Sequence, residues 1–258
     1  LTWRQCGMYT DPETLWRTTL ARNPNCWMAH NNLGLTLAGQ DRLVEAIQHY
    51  QQALQLKPDY TDALNNLGVA LVIQGNLDGA MACFQKAVRS HPDDSEIRNN
   101  LGLALTKAYY DQANALIRTG RSDEAIVQFG KVLEIRPDFA DARHDLAVIL
   151  LQKGRVDKAI AQFKKIQEQY PDKATAYFDL GNAYLQKGEM DEAMTNYQKA
   201  LKINPDDVSA CNNLGMVFLG KGMVDEAIAQ FRKALVLQPD FALARTNLNN
   251  ALLQKEHP

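Results

Sequence analysis

Seven of the nine prolines rule this chain into equal lengths. Pro24, Pro58 and Pro92 stand 34 residues apart, as do Pro137, Pro171, Pro205 and Pro239; only the step from Pro92 to Pro137 differs, at 45. A chain of 258 residues punctuated in this way is expected to build a row of small units, each buried against its neighbours, rather than one central core.

The segment from Trp27 to Tyr60 serves as one period, with its places numbered 1 to 34. Places 7 and 8 hold Leu33-Gly34, place 20 Ala46, place 24 Tyr50, place 27 Ala53 and place 32 Pro58. The marks return as Leu67-Gly68, Ala80, Phe84, Ala87; as Leu180-Gly181, Ala193, Tyr197, Ala200; and as Leu214-Gly215, Ala227, Phe231, Ala234. A further unit varies them as Leu146-Ala147, Ala159, Phe163, Ile166. Within each half, apolar residues fall three and four apart, which predicts two amphipathic helices per unit. Small residues at places 8 and 20 let the two backbones approach, and the aromatic at place 24 fills the space they leave. Gly75, Gly120, Gly154, Gly188 and Gly222 suit the end of a first helix. Asp78, Asp123, Asp157, Asp191 and Asp225, three residues on, suit capping or charging the start of the second. Proline at place 32 then ends the second helix.

These marks resemble the tetratricopeptide repeat family, over roughly nine-tenths of the chain. The resemblance implies an all-α fold: a right-handed superhelical solenoid of antiparallel helix pairs. Six units are expected, at 27–60, 61–94, 95–139, 140–173, 174–207 and 208–241. Before them, residues 1–26 read as a half-repeat or capping segment, with Pro12 to Asn23 as a lone second helix and Trp16 in its aromatic place. After them, residues 242–258 read as a capping helix, from Ala242 to about Gln254, and a tail. Two departures stand out: Asp41 occupies the place where Gly is usual, with Gly39 two places early, and Asn249 stands where the terminal helix should carry a small residue. Trp3, Trp16 and Trp27 all lie near the start, which suits a hydrophobic plug on an open solenoid end or, alternatively, a membrane-proximal anchor.

The long proline interval places eleven extra residues inside the first helix of the third unit. Leu101-Gly102 make the expected marks, yet counting back from Ala125 and Phe129 sets them again at Ala113 and Leu116. Eleven residues are about three helical turns, so the inserted stretch, Thr106 to Leu116, stays helical without rotating its apolar face. One helix is expected from Ser95 to Arg118, shifting the two halves of the array along its axis; the alternative is a looped-out insertion.

Function is constrained first by exclusion. A net charge of −2 offers no basic field for nucleic acid. No apolar run reaches membrane-spanning length. The four cysteines, Cys6, Cys26, Cys83 and Cys211, lack paired metal spacing, and the five histidines, His30, His49, His91, His144 and His257, have no i,i+4 partner. The stretch from Gly215 to Lys221 has phosphate-loop spacing, but Gly222 replaces the hydroxyl residue and the stretch lies in a repeat helix. No catalytic residue, metal or cofactor is expected.

Binding is better supported. By resemblance to the family, places 2, 5, 6, 9, 12 and 13 of the first helices should face a concave groove. Place 6 reads Asn32, Asn66, Asn100, Asp145, Asp179, Asn213 and, in the cap, Asn247; place 5 adds Asn31, Asn65, Asn99 and Asn212. A carboxamide donates and accepts together, so such a ladder suits gripping the backbone of an extended peptide, as the similar ladder of the O-linked N-acetylglucosamine transferase repeats does; the alternative role is bonding between neighbouring helices. Leu35, Val69, Leu103, Val148 and Met216 add an apolar stripe at place 9, interrupted by Asn182, and Asp62, Glu96 and Asp141 put acid at place 2. A basic clamp for chaperone tails would need cations at places 5, 9 and 13, where Lys107 alone comes near.

The expected partner is therefore a protein or extended peptide with apolar and basic side chains, bound by a non-catalytic scaffold. The opening stretch, with Leu15-Trp16-Arg17 and the run from Asn23 to Gly34, is similar to the junction where bacterial polytopic membrane proteins, some of them glycosyltransferase-like, hand over to C-terminal repeats. That resemblance, and a start at Leu1 rather than Met, imply a fragment serving as the recruiting arm of a membrane enzyme, on the extracytoplasmic side; a cytoplasmic location and self-assembly through solenoid ends are the alternatives.

Overall fold

The computed structural model describes residues 11–256; the expectations for Trp3, Cys6, His257 and the opening residues of the junction lie outside them. Among the described residues there are fourteen helices and no strand. They are α1 (Pro12–Arg22), α2 (Trp27–Ala38), α3 (Leu43–Leu56), α4 (Thr61–Gln74), α5 (Leu77–Ser90), α6 (Ser95–Arg118) and α7 (Ser122–Ile135). Then follow α8 (Ala140–Gln152), α9 (Val156–Gln169), α10 (Ala174–Lys187), α11 (Met190–Ile203), α12 (Val208–Gly220), α13 (Val224–Leu237) and α14 (Ala242–Glu256). The chain divides into two compact units. The first runs to Gln112 and includes Glu134–Arg136; the second holds Ala113–Leu133 and everything from Pro137. The division falls within α6, in the inserted stretch.

Each helix pair closes around one ring. A methyl group added at Gly34, Gly68, Gly181 or Gly215 would stand 2.7, 2.5, 2.7 or 2.6 Å from a ring carbon of Tyr50, Phe84, Tyr197 or Phe231. These separations are far inside carbon contact distance, so glycine is what permits the pairing. In the first unit the resulting core joins Leu33, Leu37, Tyr50, Leu67, Phe84 and Ala104, with Trp16 and Leu20 of α1 packed against it. Burial pushes the Tyr50 phenol up to about 12.

The turns between paired helices share one geometry. Arg42, Asn76, Arg121, Arg155, Glu189 and Met223 each donate a backbone N–H to the carbonyl five residues back, at 2.8–3.0 Å. The residue before each of them is left-handed: Gly75, Gly120, Gly154, Gly188 and Gly222 at φ 71–87°, and Asp41 at φ 61°. Asp41 thus occupies a glycine's place in the turn, as the displaced Gly39 suggests. At the other end of each pair the second helix stops two residues before proline, as the clash of the proline ring with a preceding helical residue requires.

The aspartates after the turns charge the second helices without capping them. Asp78, Asp123, Asp157, Asp191 and Asp225 all lie in first turns, where the helix dipole favours a carboxylate. The side-chain cap of α5 is Asn76, which accepts from the Gly79 N–H at 3.0 Å, and α9, α11 and α13 have no side-chain cap. In the second unit these aspartates instead receive a lysine from the end of the next first helix. Lys153 reaches Asp123 at 2.8 Å, Lys187 reaches Asp157 at 2.9 Å, Lys255 reaches Asp225 at 2.6 Å, and Lys221 pairs with Asp191.

The elongated helix of the third repeat is present as α6, 24 residues from Ser95 to Arg118, or about 36 Å at helical rise. The Asp94 carboxylate begins it, accepting from the Glu96 and Ile97 N–H groups at 2.9 and 3.2 Å. Ala104 is buried on it, and so are Ala113 and Leu116, where the marks are set again. Whole turns of insertion keep these residues on a usable face.

Candidate functional site

Places 5 and 6 of successive first helices meet. The Asn66 amide donates to Asn31 Oδ1 at 3.0 Å, Asn100 to Asn65 at 2.9 Å and Asn247 to Asn212 at 2.9 Å. Each link joins place 6 of one repeat to place 5 of the repeat before it. Asn31 and Asn212 are buried and donate in turn to Asn32 at 3.3 Å and Asn213 at 3.2 Å, and Asn65 donates to Glu96 at 3.1 Å. The row is a relay between helices, and each bond contributes about 0.5–1.5 kcal/mol net. Asn99 projects into solvent.

Two links depart from this pattern. Place 5 of the fifth repeat is Phe178, which cannot accept, so Asn213 donates to Asn182 at place 9, at 2.9 Å. Asn182 also accepts the buried Tyr197 hydroxyl at 2.6 Å; burial raises that phenol's pKa. The interruption of the apolar stripe at Asn182 is therefore part of the relay. In the fourth repeat, place 5 is His144, whose Nε2 meets the Asp179 carboxylate at 3.0 Å and whose Nδ1 lies 3.6 Å from Asp145. The carboxylates of Asp145 and Asp179 outweigh burial and push the imidazole up to about 9, so at neutral pH it is cationic. Residue types at places 5 and 6 were legible in the sequence, whereas the parts of His144, Asn182 and Tyr197 depend on which side chain reaches which partner.

Beside the relay, Leu35, Val69, Leu103 and Met216 are 56%, 39%, 43% and 45% exposed, while Val148 is half-buried. In the first unit, Asn31, Asn32, Leu35, Asp62, Asn65 and Asn66 line a shallow depression of about 320 Å³. Another, of about 270 Å³, is lined by Val69, Val72, Ile73 and Leu103 with Lys107 at its margin. Lys107 is paired with Asp111 at 3.2 Å. Asp62, Glu96 and Asp141 are exposed at place 2. No group of three or more His, Cys, Asp or Glu side chains among the described residues is arranged to hold a metal ion. No helix of the described residues is long and apolar enough to cross a membrane.

Repeated helix pairs, with apolar and amide side chains presented at fixed places, define a helical-repeat scaffold for protein–protein interaction. Tetratricopeptide repeat models match residues 9–61, 37–102 with 116–180, and 208–241, and a TPR repeat model matches 181–222. The chain belongs to the tetratricopeptide repeat family. The unmatched gap after residue 102 coincides with the insertion in α6. Among solved structures, a chain in "Crystal structure of APC/C hetero-tetramer Cut9-Hcn1" is similar over 92% of this chain and 45% of that one, at 17% identity and a TM-score of 0.51, a likeness of fold. This chain therefore spans less than half of that one's length. "Crystal structure of MamA protein" is similar over 70% of this chain and 93% of that one, at 26% identity and a TM-score of 0.46. None of the curated proteins compared with this chain matches it.

Proposed function

We propose that the face carrying the amide relay binds an extended segment of a partner protein and has no catalytic role. The observation that carries this reading is the exposure of Leu35, Val69 and Leu103 at the same place in the three repeats of the first compact unit, a periodic row of apolar side chains left outside the core. The relay beside it supports backbone recognition. Asn66 and Asn100 each use an N–H on the preceding repeat, and a carboxamide has a second N–H and two acceptor positions. Amides already oriented by a neighbour lose less freedom when a ligand arrives. The acids at place 2 favour basic side chains flanking the apolar anchors.

The test is a peptide selected by display on the full chain, its affinity then measured by calorimetry. Leu35→Glu combined with Leu103→Glu should weaken it about tenfold or more. Both side chains are exposed, so the variant should melt like the parent. Undiminished affinity would remove the reading.

A further inference from the structure

The elongated helix leaves a second surface that shares no residue with the amide face. In a 34-residue unit the first helix would stop near Ala108, at place 14. Instead α6 runs on past the α4–α5 turn. Leu105, Ala108 and Gln112 then line one side of a notch of about 570 Å³, and Leu77, Asp78 and Met81 line the other. The regular repeats show what such a place accommodates. In the second unit the corresponding aspartates, Asp123, Asp157, Asp191 and Asp225, each hold the lysine that place 14 of the next first helix supplies. Asp78 is the remaining member of that series, and its place-14 counterpart is Ala108.

We infer that this notch docks a lysine side chain presented by a partner protein between apolar neighbours. The ammonium meets Asp78 as the chain's own lysines meet the sibling aspartates. The four-carbon stem and the flanking apolar groups cover Leu77, Met81 and Leu105. Charge complementarity selects a basic residue, and Leu77, Met81 and Leu105, set among the amides of Asn76, Gln85 and Gln112, favour apolar groups beside it. Lysine is the residue all four sibling aspartates receive, and at Asp123 it shares the carboxylate with Arg155 at 2.8 Å.

The probe is the tripeptide acetyl-Leu-Lys-Leu-amide, titrated into the full chain while methyl NMR signals of Met81 and Leu105 are followed. Both should shift, and the affinity should fall about threefold or more when norleucine replaces the lysine. Asp78→Asn should cost the same. Ala108→Lys should close the site from within by installing the missing place-14 lysine. Two outcomes would overturn the inference: no shift at Met81 and Leu105, or shifts equal for the norleucine probe and for both variants. Shifts confined to Leu35, Val69 and Leu103 would also overturn it while leaving the amide face intact as a binding surface, so the two proposals fail separately.

Discussion

Alanine at Gly68 and alanine at Gly102 should have opposite effects, although both glycines stand at place 8 on a first helix. A methyl group at Gly68 would lie 2.5 Å from the Phe84 ring, whereas at Gly102 its nearest contact is Ile135 Cγ2 at 3.6 Å. Phe84 is 1% exposed and has no solvent to swing into, so the Gly68 methyl must push the paired helices apart, at about 1–3 kcal/mol for overpacking. Alanine contributes about 0.8–1.0 kcal/mol of helix propensity over glycine at either position. Gly68→Ala should therefore lose roughly 1 kcal/mol and Gly102→Ala should gain about 0.5–1 kcal/mol. The midpoints of helical circular dichroism on heating should then differ by about 4–8 °C in a chain of this size. The physical reason for the difference is that Gly102 faces Ile135 rather than a ring, the marks being set again after the insertion at the buried Ala113. Equal midpoints for the two variants would refute that reasoning.

Other consequences follow from single residues. Asp41 holds a left-handed backbone, φ 61°, which costs an L-residue about 1–2 kcal/mol; Asp41→Gly should raise the melting midpoint, and a lower one would contradict the shared turn geometry. His144 has its pKa raised to about 9 by Asp145 and Asp179. The stability it contributes is full below its unfolded value near 6.5 and is lost as pH rises through about 9. A stability profile by urea titration should decline in that window and flatten in His144→Asn. Thr106 is buried with its hydroxyl unpaired, so the isosteric Thr106→Val should be neutral or stabilising in the same assay, since no hydrogen bond is lost. Asn66→Ala should cost about 1 kcal/mol by breaking the link to Asn31, and an unchanged urea midpoint would show the relay to be dispensable for packing.

The helices were readable because the period is strict: proline, the Gly–aromatic pair and the turn glycine recur together, and each has one steric reason for its place. The α6 helix was readable because eleven residues nearly complete three turns. Asp41 could be recognised as a turn residue from its position alone. For the aspartates after the turns, residue type fits capping as well as charging, and the structure decides for charging: Asn76 accepts the N–H of its helix, while Asp123, Asp157, Asp191 and Asp225 face lysines. The relay shows the same limit. The 35-residue spacing from Asn31 to Asn66 is plain in the sequence, but the diversion of Asn213 to Asn182 depends on Phe178 removing an acceptor and on where the Tyr197 hydroxyl points.

Whether the amide face holds an extended chain is decided by adding a display-selected peptide to the full protein and following the side-chain NH₂ signals of Asn66 and Asn100 with the methyl signals of Leu35, Val69 and Leu103. All five residues should shift together and saturate with one affinity. Saturable binding that leaves these signals in place would contradict that reading.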